Sequence, residues 1–80
     1  MFFKKVAVHR LRERASERLQ RVSRDEVFQW AEVAMAGAWK CLEDAHKTTD
    51  ADELAVHLEE LERGLQQVLG AVDNLRSRGI

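Results

Sequence analysis

Apolar residues recur along this chain with helical spacing in three stretches. The clearest stretch covers about residues 51–76, where leucine and valine follow one another at alternating steps of four and three residues. The members of this heptad stripe are Leu54, Leu58, Leu61, Leu65, Val68, Val72 and Leu75. An unbroken heptad pattern predicts a long helix, about 40 Å in length, whose stripe packs against another helix as in a coiled coil.

A narrower apolar face predicts a first helix over about residues 3–22. Its members are Val8, Leu11, Ala15, Leu19 and Val22. Ser23 and Glu26 form a capping-box pattern, in which the serine hydroxyl accepts from the Glu26 N–H and the glutamate reaches back to Ser23. A second helix is therefore predicted from about residue 24 to residue 46. One continuous helix through Ser23 is the alternative, since nothing nearby forbids it.

The second helix has a broad apolar arc, which indicates contact with two neighbours. The arc consists of Val27, Ala31, Ala34, Met35, Ala38, Cys41, Leu42 and Ala45. Trp30 and Trp39 lie on its opposite flanks. The usual interpretation is that each seals one edge of the core, and the alternative is that one of them anchors a partner. Residues 46–50 form the predicted loop, with Thr49 or Asp50 as the next helix cap.

Together these patterns predict an all-α fold in a single domain, residues 1–80: an antiparallel hairpin of two long helices plus a basic N-terminal helix. Gly64 and Gly70 inside the third helix each cost about 1 kcal/mol relative to alanine, which close approach of a neighbouring helix would offset. A chain of 80 residues buries a smaller fraction of its surface on folding than a larger domain does, so part of its apolar surface stays exposed in a single copy. We therefore expect a homo-oligomer, most simply a dimer with a four-helix core, in which the heptad stripe is the interface.

The net charge of −1 conceals a strong asymmetry. Residues 1–24 sum to +6, residues 25–62 to −9 and residues 63–80 to +2. In the basic part, four arginines at steps of four, four and three line one side of the first helix: Arg10, Arg14, Arg18 and Arg21.

Two interpretations of these four arginines are open. They pair with acidic residues of a neighbouring helix, such as Glu53, Glu60 and Glu62, or they contact an external anion. That anion is a protein carboxylate, a nucleic-acid backbone or, with the help of residues 2–5 (Phe-Phe-Lys-Lys), an anionic membrane surface.

The motifs of common enzyme classes are missing from the sequence. It contains no glycine-rich phosphate loop, no cysteine pair, no His-Glu-x-x-His and no nucleophile elbow, so we expect no enzyme activity, cofactor or small-molecule substrate. Glu43 and His46 form a Glu-x-x-His pair, with Glu32 earlier on a similar face, but their polar surroundings make a metal site the weaker interpretation. Cys41 fits a small buried hydrophobe better than a reactive thiol.

The function predicted from the sequence is a non-enzymatic interaction or regulatory module that self-associates and binds a protein partner. The expected partner-binding residues are Arg10, Arg14, Arg18, Arg21, Trp30 and Trp39. A basic-helix nucleic-acid binder and a dimeric Glu/His metal bundle are the alternatives. The lone cysteine and the lack of a signal sequence or a long apolar run predict a cytoplasmic location.

Overall fold

The computed structural model describes residues 2–79 of the chain, and side chains over residues 10–79. Three α-helices make up this part: α1 (Phe2–Arg18), continued by a 3₁₀ turn (Leu19–Arg21), then α2 (Arg24–Lys47) and α3 (Ala51–Ser77). The described residues contain no strand, which confirms the all-helical prediction. None of the helices in this part of the chain is long and apolar enough to cross a bilayer. The side chains of residues 2–5 and of Val8 lie outside the described set.

Local capping chemistry places the helix boundaries. The Ser23 hydroxyl accepts a hydrogen bond from the Glu26 N–H at 3.3 Å, as the capping box predicts, although no bond returns from the Glu26 side chain in the described structure. Val22 and Ser23 are extended, so the alternative of one continuous helix is wrong. Asp50 caps α3 by accepting from the Asp52 N–H at 3.0 Å. Gly79, with a φ of +75°, ends the helical backbone after α3.

α3 is the central helix, and it packs against both α1 and α2 through small residues. A Cβ added at Gly64 would lie 3.1 Å from the Cβ of Ala38 on α2. A Cβ added at Gly70 would lie 2.5 Å from the Arg12 carbonyl oxygen and 2.6 Å from the Cβ of Ala15 on α1. Both glycines of α3 therefore mark close helix crossings, which confirms the interpretation drawn from the sequence.

The three helices form a flat layer with a small core. The Cα atoms extend over 44 × 26 × 14 Å. The core lies where the end of α1, the start of α2 and the C-terminal third of α3 meet, around Leu19, Val27 and Ala71. Packed against this core are Val22, Trp30, Ala31 and Leu75. Of the six buried apolar residues among those described, four are alanines, so few large side chains are withdrawn from water within one chain.

We predict opposite effects for alanine at two of the glycines. Gly70→Ala lowers the free energy of unfolding by about 1–3 kcal/mol, because the new methyl group forces α1 away from α3. Gly37→Ala is the matched control, since no atom lies within 4 Å of its added Cβ. That change raises stability by about 0.5–1 kcal/mol through the helix preference of alanine. Urea unfolding of both variants measures the difference, and equal shifts would contradict the close crossing.

Candidate functional site

A polar network fixes α1 on α3. The Arg12 guanidinium donates to both carboxylate oxygens of Asp73, at 2.6 and 2.9 Å. The next residue of α3, Asn74, is only 1% exposed, and its Nδ2 donates to the Ser16 carbonyl oxygen, one turn after Arg12 on α1, at 3.0 Å. A buried amide that donates to the neighbouring helix fixes the relative position of the two helices, because a shift would leave this polar group buried without a hydrogen-bond partner. The network thereby sets which side of α1 faces outward.

Arg78 completes the network at the end of α1. Its Nη2 donates to the carbonyl oxygens of Leu19 and Val22, at 2.6 Å each, and its Nε donates to Asn74 Oδ1 at 2.8 Å. The Leu19 carbonyl also accepts from the Val22 N–H at 3.2 Å, so the guanidinium adds a charged donor there and supplies a side-chain donor to the Val22 carbonyl. A cation at this position also interacts favourably with the negative end of the helix dipole. Nothing in the local sequence pattern predicts this role for Arg78. The one available signal was Asn74, a polar residue near the end of an apolar helix.

With α1 held in this way, the four arginines predicted to share one side of the first helix lie exposed along α1 and the 3₁₀ turn that continues it. We call this surface the arginine edge: Arg10, Arg14, Arg18 and Arg21. All four side chains are exposed. Within the described part of the chain, none of them makes a hydrogen bond or an ion pair.

The expected pairing of these arginines with the acidic segment does not form in the described structure. Glu53 accepts instead from the Thr48 hydroxyl at 3.1 Å, and Glu60 from the Cys41 thiol at 3.7 Å. The arginines that form ion pairs among the described residues lie off the edge: Arg12 with Asp73, Arg24 with Asp25 and Arg63 with Glu59. The charge of the arginine edge is therefore available to an external group.

The two tryptophans occupy different surfaces. Trp30 is half-buried against the core, as the usual interpretation expects, and borders a crevice of about 80 Å³ together with Arg14 and Arg18. Trp39 is 62% exposed, so the interpretation that it seals the core is wrong. The structure thus brings Trp30 to the arginine edge and separates Trp39 from it.

Trp39 belongs to a long exposed surface that we call the apolar face. Its members are Phe28, Met35, Trp39 and Leu42 on α2 and Leu54, Leu58, Leu65 and Leu69 on α3. The contact of Gly64 with Ala38 marks the line along which the antiparallel helices meet. Counting 100° per residue from that line, both sets of residues turn toward the same side of the hairpin. The α1 helix packs on a different side of α3, at Gly70 and Asn74, and leaves this face uncovered.

The heptad stripe of α3 is therefore divided between two environments. Leu61, Val68, Val72 and Leu75 are half-buried. The other members of the stripe, Leu54, Leu58 and Leu65, are exposed on the apolar face. The helix α2 thus covers only one side of the heptad stripe of α3. Likewise, the broad apolar arc of α2 contacts α3 along one edge, and its other edge is exposed.

The surface area of the chain agrees with this division. The total accessible area is 6231 Å². A compact monomer of 9.2 kDa is expected to expose roughly 4,900 Å². The chain therefore exposes more surface than a compact monomer of its mass.

The weaker chemical candidates do not assemble into a site. No group of three His, Cys, Asp or Glu side chains among the described residues is placed to hold a metal ion, and Glu32, Glu43 and His46 are all exposed. Partial burial, together with the nearby Glu60 carboxylate, raises the pKa of the Cys41 thiol above its ordinary value. A thiol shifted in this direction is less ionised at neutral pH, which suits a packing role.

Comparisons of the chain with protein-family models, with curated proteins and with solved structures found no match.

We predict that the contact between α1 and α3 weakens in acid. The hydrogen bond from Arg12 lowers the pKa of Asp73, so the stability from this pair is present at neutral pH and is lost as the pH falls below about 4. Asp73→Asn therefore lowers Tm at pH 6 and has a smaller effect at pH 3. Thermal melts at both pH values test this, with Glu43→Gln as an exposed control. An Asp73→Asn effect of equal size at both pH values would contradict it.

Proposed function

We propose that this protein is a small non-enzymatic helical interaction module, regulatory in kind, that self-associates through the apolar face and binds a protein partner through the arginine edge. The apolar face carries the proposal. Eight large apolar side chains lie exposed along two helices, and the chain has only a small, alanine-rich core.

Self-association is supported by the balance between core and surface. A domain of 80 residues is marginally stable even when its apolar residues are well covered. Here Val27 is the only large apolar side chain, among those described, that is less than 2% exposed. Burying the apolar face in a second copy supplies the missing hydrophobic stabilisation, and two hairpins packed in this way form a four-helix core.

A protein partner at the arginine edge is supported by the surrounding charges. Guanidinium groups spaced about one helical turn apart match carboxylates at the same spacing on a partner helix. Glu13 and Glu17 are exposed on the same helix, and residues 25–62 are strongly acidic. These negative charges repel a long polyanion such as nucleic acid more strongly than they repel a short acidic segment of a protein.

We expect the apolar face to control the mass of the protein in solution. Light scattering of the unmodified protein at micromolar concentration should give twice the 9.2 kDa chain mass. Leu58→Glu with Leu65→Glu shifts it to single-chain mass, because two carboxylates would be buried without partners in the dimer.

The control for this experiment makes the same chemical change elsewhere. Val33 and Val56 are exposed valines that lie off the apolar face, so Val33→Glu with Val56→Glu leaves the dimer intact. A parent that stays a single chain at high concentration would refute self-association. A control that dissociates as readily as the leucine variant would move the interface to another surface.

A nucleic-acid backbone is the second candidate for the arginine edge. It is favoured because the four guanidinium groups make no hydrogen bond or ion pair with the described residues. Any such binding would rest on phosphate contacts and depend strongly on salt, because each contacted phosphate releases counterions. Gln20 is the one amide side chain between Arg10 and Arg21 in the sequence, so direct reading of base edges by this helix has little support.

Salt titration separates the two candidates. Phosphate contacts by all four arginines predict a slope of about −3.6 when log K for a 20-base-pair duplex is plotted against log salt. Arg14→Glu with Arg18→Glu then reduces the slope by about 2, while Lys40→Glu with Lys47→Glu, an equal charge change on α2, leaves it unchanged. Under the protein-partner proposal, duplex binding is absent at physiological salt, and a tight duplex complex with the steep slope would overturn it.

A further inference from the structure

Two opposite charges interrupt the apolar face at symmetric positions on α3. Glu62 lies seven residues before Leu69, and Arg76 lies seven residues after it. All three occupy the same heptad position, so they stand in one line along the helix, with charges about 10 Å on either side of the leucine. All three side chains are exposed.

Neither charge is paired within the described part of its own chain. Glu62 and Arg76 make no side-chain hydrogen bond or ion pair in the described residues. Arg76 contributes only the weakest of the effects that lower the pKa of Asp73, whose carboxylate is already bound by Arg12. The side of α3 that faces α2 is occupied by Gly64 and its neighbours, so the line through Leu69 is open to a second chain.

From this symmetry we infer that a second copy of the chain packs on the apolar face with its α3 antiparallel to the first, and that the two-fold axis passes close to Leu69. This inference rests on the self-association proposed above and specifies its geometry. Antiparallel pairing about Leu69 places Glu62 of each copy beside Arg76 of the other, forming two identical ion pairs that flank a contact between the two Leu69 side chains.

The charges discriminate between helix directions. In a parallel pair, Glu62 would meet Glu62 and Arg76 would meet Arg76, and both like-charge contacts disfavour association. In the antiparallel pair both contacts are attractive. The flanking residues of α2 then lie over the edges of the partner's α3, because Met35 and Trp39 are exposed on the same side as Leu69. The ion pairs set direction and register, while the leucines provide the hydrophobic burial.

Charge reversal tests the arrangement. Glu62→Arg alone and Arg76→Glu alone each raise the dimer dissociation constant at least tenfold, because each creates two like-charge contacts. The double variant restores the constant to within threefold of the parent. Glu17→Arg on α1 and Arg21→Glu in the 3₁₀ turn, which make the same charge changes at exposed positions outside α3, leave the dissociation constant unchanged. Analytical ultracentrifugation measures all of these constants.

The outcomes separate this inference from the proposal on which it rests. A monomeric parent would refute self-association itself. A dimeric parent that tolerates both single reversals, or whose double variant stays as weak as the single variants, would leave self-association standing and overturn the antiparallel register.

Cross-linking gives an independent measure of register. In a Cys41→Ser background, Leu69→Cys forms a disulfide-linked dimer with oxidised glutathione, because a residue on the two-fold axis meets its own copy. Leu54→Cys, placed fifteen residues away on the same face, does not cross-link in the antiparallel pair. Efficient cross-linking of both variants indicates a parallel pair and overturns the inference.

Discussion

The close helix contacts made by small residues are the constraint on which the rest of this structure depends. Gly64 meets Ala38 and Gly70 meets Ala15, so α3 approaches both of its neighbours more closely than larger side chains would permit. A core built from glycine and alanine leaves little interior space for leucine, tryptophan or phenylalanine. The large apolar residues therefore lie on the flanks of the contact lines, and the apolar face follows directly from the way the helices cross.

Much of the fold is readable from the sequence because its signals are local. The three helices, the Ser23 cap and the glycine crossings follow from periodicity, capping chemistry and the cost of glycine in a helix. The side of α3 against which α1 packs was not predictable, because Arg12, Asp73, Asn74 and Arg78 are joined across 56–61 residues of sequence. No local pattern marks such long-range polar pairs.

The candidate surfaces were predicted in part, for the same physical reason. Helical spacing correctly groups the four arginines and the heptad leucines, since residues on one helix face stay together whatever the helix packs against. Spacing does not determine what covers each face. The pairing of the arginine edge with the acidic segment and the burial of Trp39 both depend on packing. Trp39 lies with the leucines on the apolar face, and the four arginines of the edge make no ion pair among the residues that the structure describes.

The contact of Arg78 with Leu19 and Val22 joins the end of the first helical segment to the end of α3, and it therefore bears on the order of folding. α2 and α3 are neighbours in sequence and meet through a short loop, which lets them associate with little loss of chain entropy. The first helix has no comparable local partner, because its terminal carbonyls are bound by a side chain more than fifty residues downstream. We therefore expect the N-terminal helix to dock after the hairpin has formed. Until then, the side of α3 that receives α1 is exposed in addition to the apolar face.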